Sequence, residues 1–162
     1  MNNCFEVSRG DVETAINIMK EVTAWGRSVG LNVWNDEHLT KEKLLVGVNE
    51  DNFYIGKVLD ENASCMILQW NDALFWPRAK ENEAGYIHKL CVRRDYAGNG
   101  LSEKMVEFAI DECRKRNIGL LRLDTGWNKI KLRYLYESLG FELVGNIVLD
   151  DRGEFALYEM NI

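Results

Sequence analysis

Apolar and polar positions along this chain recur with two periods, and the changes of period mark out its elements. From Val12 the apolar side recurs every three to four residues at Ala15, Ile16, Met19, Val22 and Thr23, which predicts a helix capped by Asp11 and ended or broken by Gly26 to Gly30. Leu44, Leu45 and Val48 predict a weaker second helix starting at Asp36 or Thr40, reached through the aromatic-rich connection of Trp25, Leu31, Val33 and Trp34. Strand-like alternation covers Cys4 to Val7, Phe53 to Leu59, Ala63 to Trp70, Tyr86 to Val92, Leu120 to Thr125, Phe141 to Val148 and Phe155 to Met160. Asp60-Glu61-Asn62 and Asp150-Asp151-Arg152-Gly153 predict the turns of two antiparallel hairpins, and Asn71 to Glu83 reads as a loop.

Two further helices are predicted. Leu101 to Arg116 carries Leu101, Met105, Val106, Phe108, Ala109 and Cys113 on one face, and Asn128 to Leu139 carries Leu132, Leu135, Tyr136 and Leu139 with Gly140 as the C′ residue. The first lies between two strands, so the three form a right-handed βαβ unit with parallel strands. The expected fold is α/β of the α+β type: a mixed, mostly antiparallel central sheet with flanking helices.

Composition narrows the picture. The 162 residues suit one domain, and 46% apolar content with a single proline describes a packed globule. A net charge of −6 argues against a nucleic-acid surface, which needs a clustered basic face. Cys4, Cys65, Cys91 and Cys113 lie far apart and only two histidines accompany them, so reduced thiols, no metal centre and a cytoplasmic setting are expected. No apolar run reaches membrane-spanning length, so no membrane partner is expected. Oligomeric state is open; a homodimer is the expectation only because dimers are the commonest soluble oligomers.

The stretch most suggestive of chemistry runs from Gly85 to Ser102: an apolar strand, an Arg-Arg-Asp turn, a glycine-punctuated loop and a helix start. Unpaired N–H groups and the positive end of a helix dipole suit a phosphate, and glycines let it approach the main chain. A P-loop is excluded because no lysine follows Gly100. A dinucleotide fingerprint starting at Gly98-Asn99-Gly100 meets Glu103 at its third glycine, in a chain too short for a full doubly wound sheet.

A third kind of phosphate loop fits better. Leu90-Cys91-Val92 followed by Ala97-Gly98-Asn99-Gly100-Leu101-Ser102 resembles the cofactor motif of the GNAT superfamily of acetyl-CoA-dependent N-acetyltransferases, with Ala97 where the family usually has Arg or Gln and Ser102 where it has Gly or Ala. Downstream, Leu132-x-x-x-Tyr136-Glu137-Ser138-Leu139-Gly140-Phe141 is similar to a second motif of that family, and Asn128 stands about one residue before the family's asparagine. The order of elements matches over nearly the whole chain. The resemblance implies a single N-acetyltransferase domain over 1–162, with a splayed parallel strand pair at the cofactor site. It implies acetyl-CoA as co-substrate, no metal, and direct transfer of the acetyl group to a primary amine of a small molecule or peptide. A catalytically silent CoA-binding sensor or partner-binding module with the same fold is the alternative.

Residue roles follow from the resemblance. Backbone groups of Leu90, Cys91 and Val92 would pair with the pantetheine arm, Ala97 to Ser102 would hold the pyrophosphate, Asn128 would join them, and Tyr136 would face the sulfur as general acid. His88, on the strand face of Tyr86 and Leu90, is the candidate general base; Glu83, Asp124, Tyr86 or ordered water compete for that role. Asp124 could also attract a cationic amine. Arg93, Arg94, Lys129 and Arg133 could meet phosphates, or be solvated surface. Cys91 reads as a buried thiol, since direct transfer needs no nucleophile. The five tryptophans could furnish an aromatic acceptor pocket or simply pack in the core.

Overall fold

The structure, a computed structural model, describes residues 4–162. Its seven strands, β1 (Phe5–Arg9), β2 (Phe53–Val58), β3 (Glu61–Gln69), β4 (Gly85–Val92), β5 (Leu120–Gly126), β6 (Glu142–Leu149) and β7 (Gly153–Asn161), lie in one sheet in the order β1-β2-β3-β4-β5-β7-β6. The helices are α1 (Val12–Ser28), α2 (Lys41–Leu44), α3 (Leu101–Lys115) and α4 (Ile130–Ser138). The chain divides into two compact units: one holds the described residues up to Leu68 with Lys89–Phe108, the other Gln69–His88 with Ala109–Ile162.

In the first unit β1, β2 and β3 pair antiparallel, with a bulge at Gly56/Lys57. The β2–β3 turn is centred on Leu59 and Asp60, at φ 50° and 67°. Two successive positive φ values make the tight reversal whose twist matches the strands, so the turn falls one residue earlier than Asp60-Glu61-Asn62. The predicted stripe of α1 packs on this sheet: Val12, Ala15, Ile16, Met19 and Val22 form one core with Phe53, Ile55, Cys65, Ile67 and Cys91. Full burial of a side chain such as Met19 contributes roughly 1.5–3 kcal/mol.

α1 ends at Ser28, inside the expected Gly26–Gly30 stretch: the chain turns back at Gly30 (φ 77°), the Leu31 N–H donates to the Gly26 carbonyl at 2.7 Å, and a Cβ on Gly26 would come within 2.5 Å of Val33. The glycine is there to let the returning chain pass against the helix. The second helix is only a 3₁₀ turn (Asp36–His38) and one turn of α2, because the chain leaves helical geometry at Gly47 (φ 76°). Leu44, Leu45 and Val48 nonetheless pack inward, beside a fully buried Leu39.

In the second unit β4 and β5 run parallel and pair from Gly85↔Leu121 to Ile87↔Leu123, while β5–β7 and β7–β6 are antiparallel. The mixed, mostly antiparallel sheet and the parallel pair are as expected. α4 ends as predicted: Gly140 (φ 102°) donates to the Glu137 carbonyl, and the Phe141 N–H reaches back to the Tyr136 carbonyl, both at 3.1 Å. No helix among the described residues is long and apolar enough to cross a membrane.

Candidate active site

The loop from β4 to α3 is built for close approach to its main chain. After a 3₁₀ turn (Arg94–Tyr96) the backbone passes through Gly98 and Gly100 at φ 79° and 71°, and a Cβ at either would meet nothing within 4 Å. Asn99 Nδ2 donates to the carbonyls of Tyr96 (3.0 Å) and Ala97 (3.3 Å), which pins the exposed loop from within. Leu101 is buried and anchors the start of α3, Ser102 is half-buried, and the Lys104 N–H is bonded to the Gly100 carbonyl at 3.1 Å. The N–H groups of a first helical turn have no intrahelical acceptors, so this loop presents donors and a positive dipole end to open space. Those are the features a pyrophosphate needs. Arg93 is committed elsewhere, to Glu21 (2.8 and 3.2 Å) and the Asn62 carbonyl (2.9 Å), and the Arg94 guanidinium lies 3.8 Å from the centre of the Trp25 ring.

On β4, Leu90 and Val92 are half-buried and Cys91 is buried. The Cys91 sulfur sits 3.5 Å from that of Cys65, and the hydrogen bond between the two thiols, with burial, pushes the Cys65 thiol well above its ordinary range. The pair is a packed thiol contact, as expected for a strand cysteine. Lys89, just before Leu90, takes a left-handed φ of 54°, which is uncommon for a residue with a side chain. Its neighbour His88 is the first β4 residue beyond the paired register with β5.

His88 lies between two carboxylates. Its Nε2 is 2.9 Å from Asp72 Oδ2 and its Nδ1 is 3.5 Å from Asp124 Oδ1, with side-chain exposures of 5% for Asp72, 9% for Asp124 and 19% for His88. Asp72 is itself held: its other oxygen accepts the Phe75 N–H at 3.2 Å and its carbonyl the Trp76 N–H at 2.9 Å, so it opens the turn that follows β3. The Phe75 ring lies 5.9 Å from the imidazole. Asp72, His88 and Asp124 bring three ligand atoms within 4.8 Å of one another, a set of donor types a divalent cation accepts. The sequence does not single out Asp72, since Asn71 to Glu83 reads only as a loop. Its one signal is an aspartate at the start of a turn, which is common and seldom functional.

The competing bases have other partners. Arg122, on β5, donates to Glu83 (2.7 Å), Glu159 (2.8 Å) and the Tyr86 hydroxyl (3.1 Å), and its guanidinium lies 4.5 Å from the centre of the Trp76 ring. Burial pushes the Tyr86 phenol up against the pull of Arg122, which makes it a poor proton acceptor near neutrality. Trp76, Asp72 and Tyr86 border a cavity of about 290 Å³ in the same loop.

Tyr136 is buried on α4, its ring 6.2 Å from Phe141 and 6.5 Å from Tyr158. Asn128 is exposed in the turn before α4, and burial lowers the pKa of its neighbour Lys129. Arg133 is tied to the Tyr158 hydroxyl (3.0 Å) and the Trp127 carbonyl (3.1 Å). All five tryptophans have a cation over the ring: Arg94 on Trp25, Lys89 on Trp34, Arg116 on Trp70, Arg122 on Trp76 and Arg133 on Trp127. Each indole thus makes an internal cation–π contact.

Comparison with known proteins points to one family. A profile of the acetyltransferase (GNAT) family matches residues 18–141. The uncharacterized N-acetyltransferase YesJ of Bacillus subtilis is 24% identical over 161 residues, covering 94% of this chain and 86% of its own. A GNAT-family acetyltransferase of Listeria monocytogenes superposes with a TM-score of 0.76 at 21% identity, over 98% of this chain and 95% of that one. A Bacillus anthracis protein assigned as a streptothricin acetyltransferase, solved in complex with acetyl coenzyme A, superposes with a TM-score of 0.57 at 20% identity over 68% of this chain and 61% of that one. The profile spans most of the chain, and the two structures share its fold: the chain belongs to the GNAT acetyltransferase family.

Proposed function

We propose that this protein transfers the acetyl group of acetyl-CoA to a primary amine of a small molecule or peptide, with His88 as general base and Tyr136 as general acid. The observation that carries the reading is the imidazole of His88 placed between Asp72 and Asp124 where the β4–β5 register ends. A neutral imidazole there can take a proton from an ammonium that the neighbouring carboxylates attract. The glycine loop fits the cofactor: at Gly98 and Gly100 the backbone is open and would be blocked by side chains.

Acetyl-CoA supplies an acyl group already activated as a thioester. In this reading Ala97, Gly98, Asn99, Gly100, Leu101 and Ser102 bind its pyrophosphate through main-chain N–H groups, and Asn128 adds a side-chain contact. Leu90, Cys91 and Val92 offer main-chain groups to the pantetheine arm, one N–H polarising the carbonyl oxygen. His88 removes a proton from the ammonium, freeing the lone pair that forms the new C–N bond. As the C–S bond breaks, its electron pair goes to sulfur, and Tyr136 gives sulfur its phenolic proton. The second proton leaves the amide nitrogen to solvent and replaces the one Tyr136 gave.

The test is free-thiol release from acetyl-CoA over a panel of primary amines, with His88→Gln and Tyr136→Phe beside the native protein. Release with some amines, cut by about 10²-fold or more in each variant, is the expected result. Tight acetyl-CoA binding with no release from any amine would identify a silent CoA-binding module instead.

A further inference from the structure

Of the two carboxylates beside His88, Asp72 is fixed by the backbone and lies at hydrogen-bond distance from the ring while Asp124 lies farther off, and this difference distinguishes the two nitrogens. Asp72 Oδ1 is engaged by the Phe75 N–H and Oδ2 lies 2.9 Å from His88 Nε2, at hydrogen-bond distance. A carboxylate is an acceptor only, so the proton of this bond belongs to Nε2. Nδ1 faces Asp124 at 3.5 Å, longer than a good hydrogen bond; this contact becomes an ion pair once the ring is protonated. A neutral imidazole carries one N–H, so a proton held on Nε2 leaves the lone pair on Nδ1.

We propose that Asp72 is the positioning residue of this site: by accepting the Nε2 proton of His88 it holds the ring in one tautomer, so that Nδ1, beside Asp124, is the atom that takes the proton of the acceptor ammonium. The inference rests on the acetyl-transfer reading above. In the step itself an N–H bond of the ammonium breaks, its electron pair stays on the amine nitrogen, and the proton joins the lone pair of Nδ1. The resulting imidazolium then donates to Asp72 through Nε2 and faces Asp124 through Nδ1. A rigid Asp72 costs little reorganisation at that moment, because the turn from Asp72 to Trp76 already holds both the carboxylate and its carbonyl.

Among the described residues, Glu83, Tyr86, Arg122 and Glu159 are joined to one another through the Arg122 guanidinium. Asp72 is the carboxylate at hydrogen-bond distance from Nε2.

Asp72→Asn is the informative variant, since the amide oxygen can still accept the Phe75 N–H and preserve the turn. Long-range ¹H–¹⁵N spectra of histidine-labelled protein read the tautomer directly. The chain has two histidines, so His38→Gln identifies the His88 signals. The native protein above the titration of His88 should show the Nε2–H tautomer, and Asp72→Asn a mixture or the Nδ1–H form. In the thiol-release assay Asp72→Asn should lower kcat at least tenfold, leave KM for acetyl-CoA within twofold, and move the acid limb of the pH profile to lower pH; Asp72→Glu should restore part of the rate. A native Nδ1–H tautomer, or an Asp72→Asn variant with unchanged kcat and pH profile, would overturn the proposal. Failure of acetyl transfer itself shows differently, as no thiol release in the native protein.

Discussion

Arg122 Nε donates to Glu159 Oε2 at 2.8 Å across the register pair that joins β5 to β7. The same guanidinium holds Glu83 and the Tyr86 hydroxyl and covers the Trp76 indole, so one side chain satisfies two carboxylates and a phenol that the sheet has partly removed from water. Removing it strands those groups. Arg122→Leu should therefore destabilise the protein by about 3 kcal/mol, the scale for breaking a buried ion pair from one side. Urea unfolding at neutral pH measures this, and a loss below about 1 kcal/mol would show the cluster to be solvated.

The N-cap of α1 predicts a pH dependence of known sign. Asp11 accepts from the Thr14 hydroxyl (2.6 Å) and N–H (3.0 Å), and these bonds hold its carboxyl below the ordinary 3.8. A lowered native pKa means that the contribution is complete above the unfolded value and is lost as pH falls through the folded one. Asp11→Ala should cost about 1 kcal/mol at pH 7, the usual worth of such a cap. The difference between native and variant should shrink below about pH 4, as unfolding curves over a pH series would record.

Gly100→Ala places a side chain at a backbone φ of 71°, in space that is open toward the proposed phosphate contact. Left-handed geometry costs an L-residue roughly 1–2 kcal/mol, so the melting temperature should fall modestly. KM for acetyl-CoA should rise about tenfold, equivalent to one lost hydrogen bond to a charged group, with little change in KM for the amine. Steady-state kinetics with each substrate varied separates the two effects.

Thiol accessibility follows burial. Cys4 is exposed, whereas Cys65, Cys91 and Cys113 are buried, and burial pushes the Cys113 thiol up to about 11. The hydrogen bond to Glu6 pushes the Cys4 thiol up, so an aromatic disulfide reagent should titrate Cys4 ahead of the three buried thiols in the folded protein, faster as pH rises, and all four after denaturation. A second fast thiol in the folded state would mean that one of the three buried cysteines is readily uncovered.

The glycine loop and the α4 motif are legible in the chain itself because their chemistry is local. A helix start after Gly98-Asn99-Gly100 and a C′ glycine at Gly140 are set by neighbours in sequence, and the structure has both. Periodicity over-extends the second helix because Leu44, Leu45 and Val48 bury a face that one turn and a loop can supply as well as a longer helix. Trp25, Trp34 and Trp76 suggest a pocket because composition says nothing of what covers an indole; the covering cations stand from 46 to 69 positions away.

The sequence by itself determined the elements, their order and the family, since periodicity, caps and the spacing of two motifs act over a few residues. It also marked His88. What only the tertiary structure decided is the company His88 keeps: Asp72 lies 16 positions before it in a turn and Asp124 lies on β5, and neither has a sequence signature of its own. Parallel pairing of β4 with β5 and the turn after β3 bring the three side chains together, and that long-range closure turns a strand histidine into a candidate base flanked by two carboxylates.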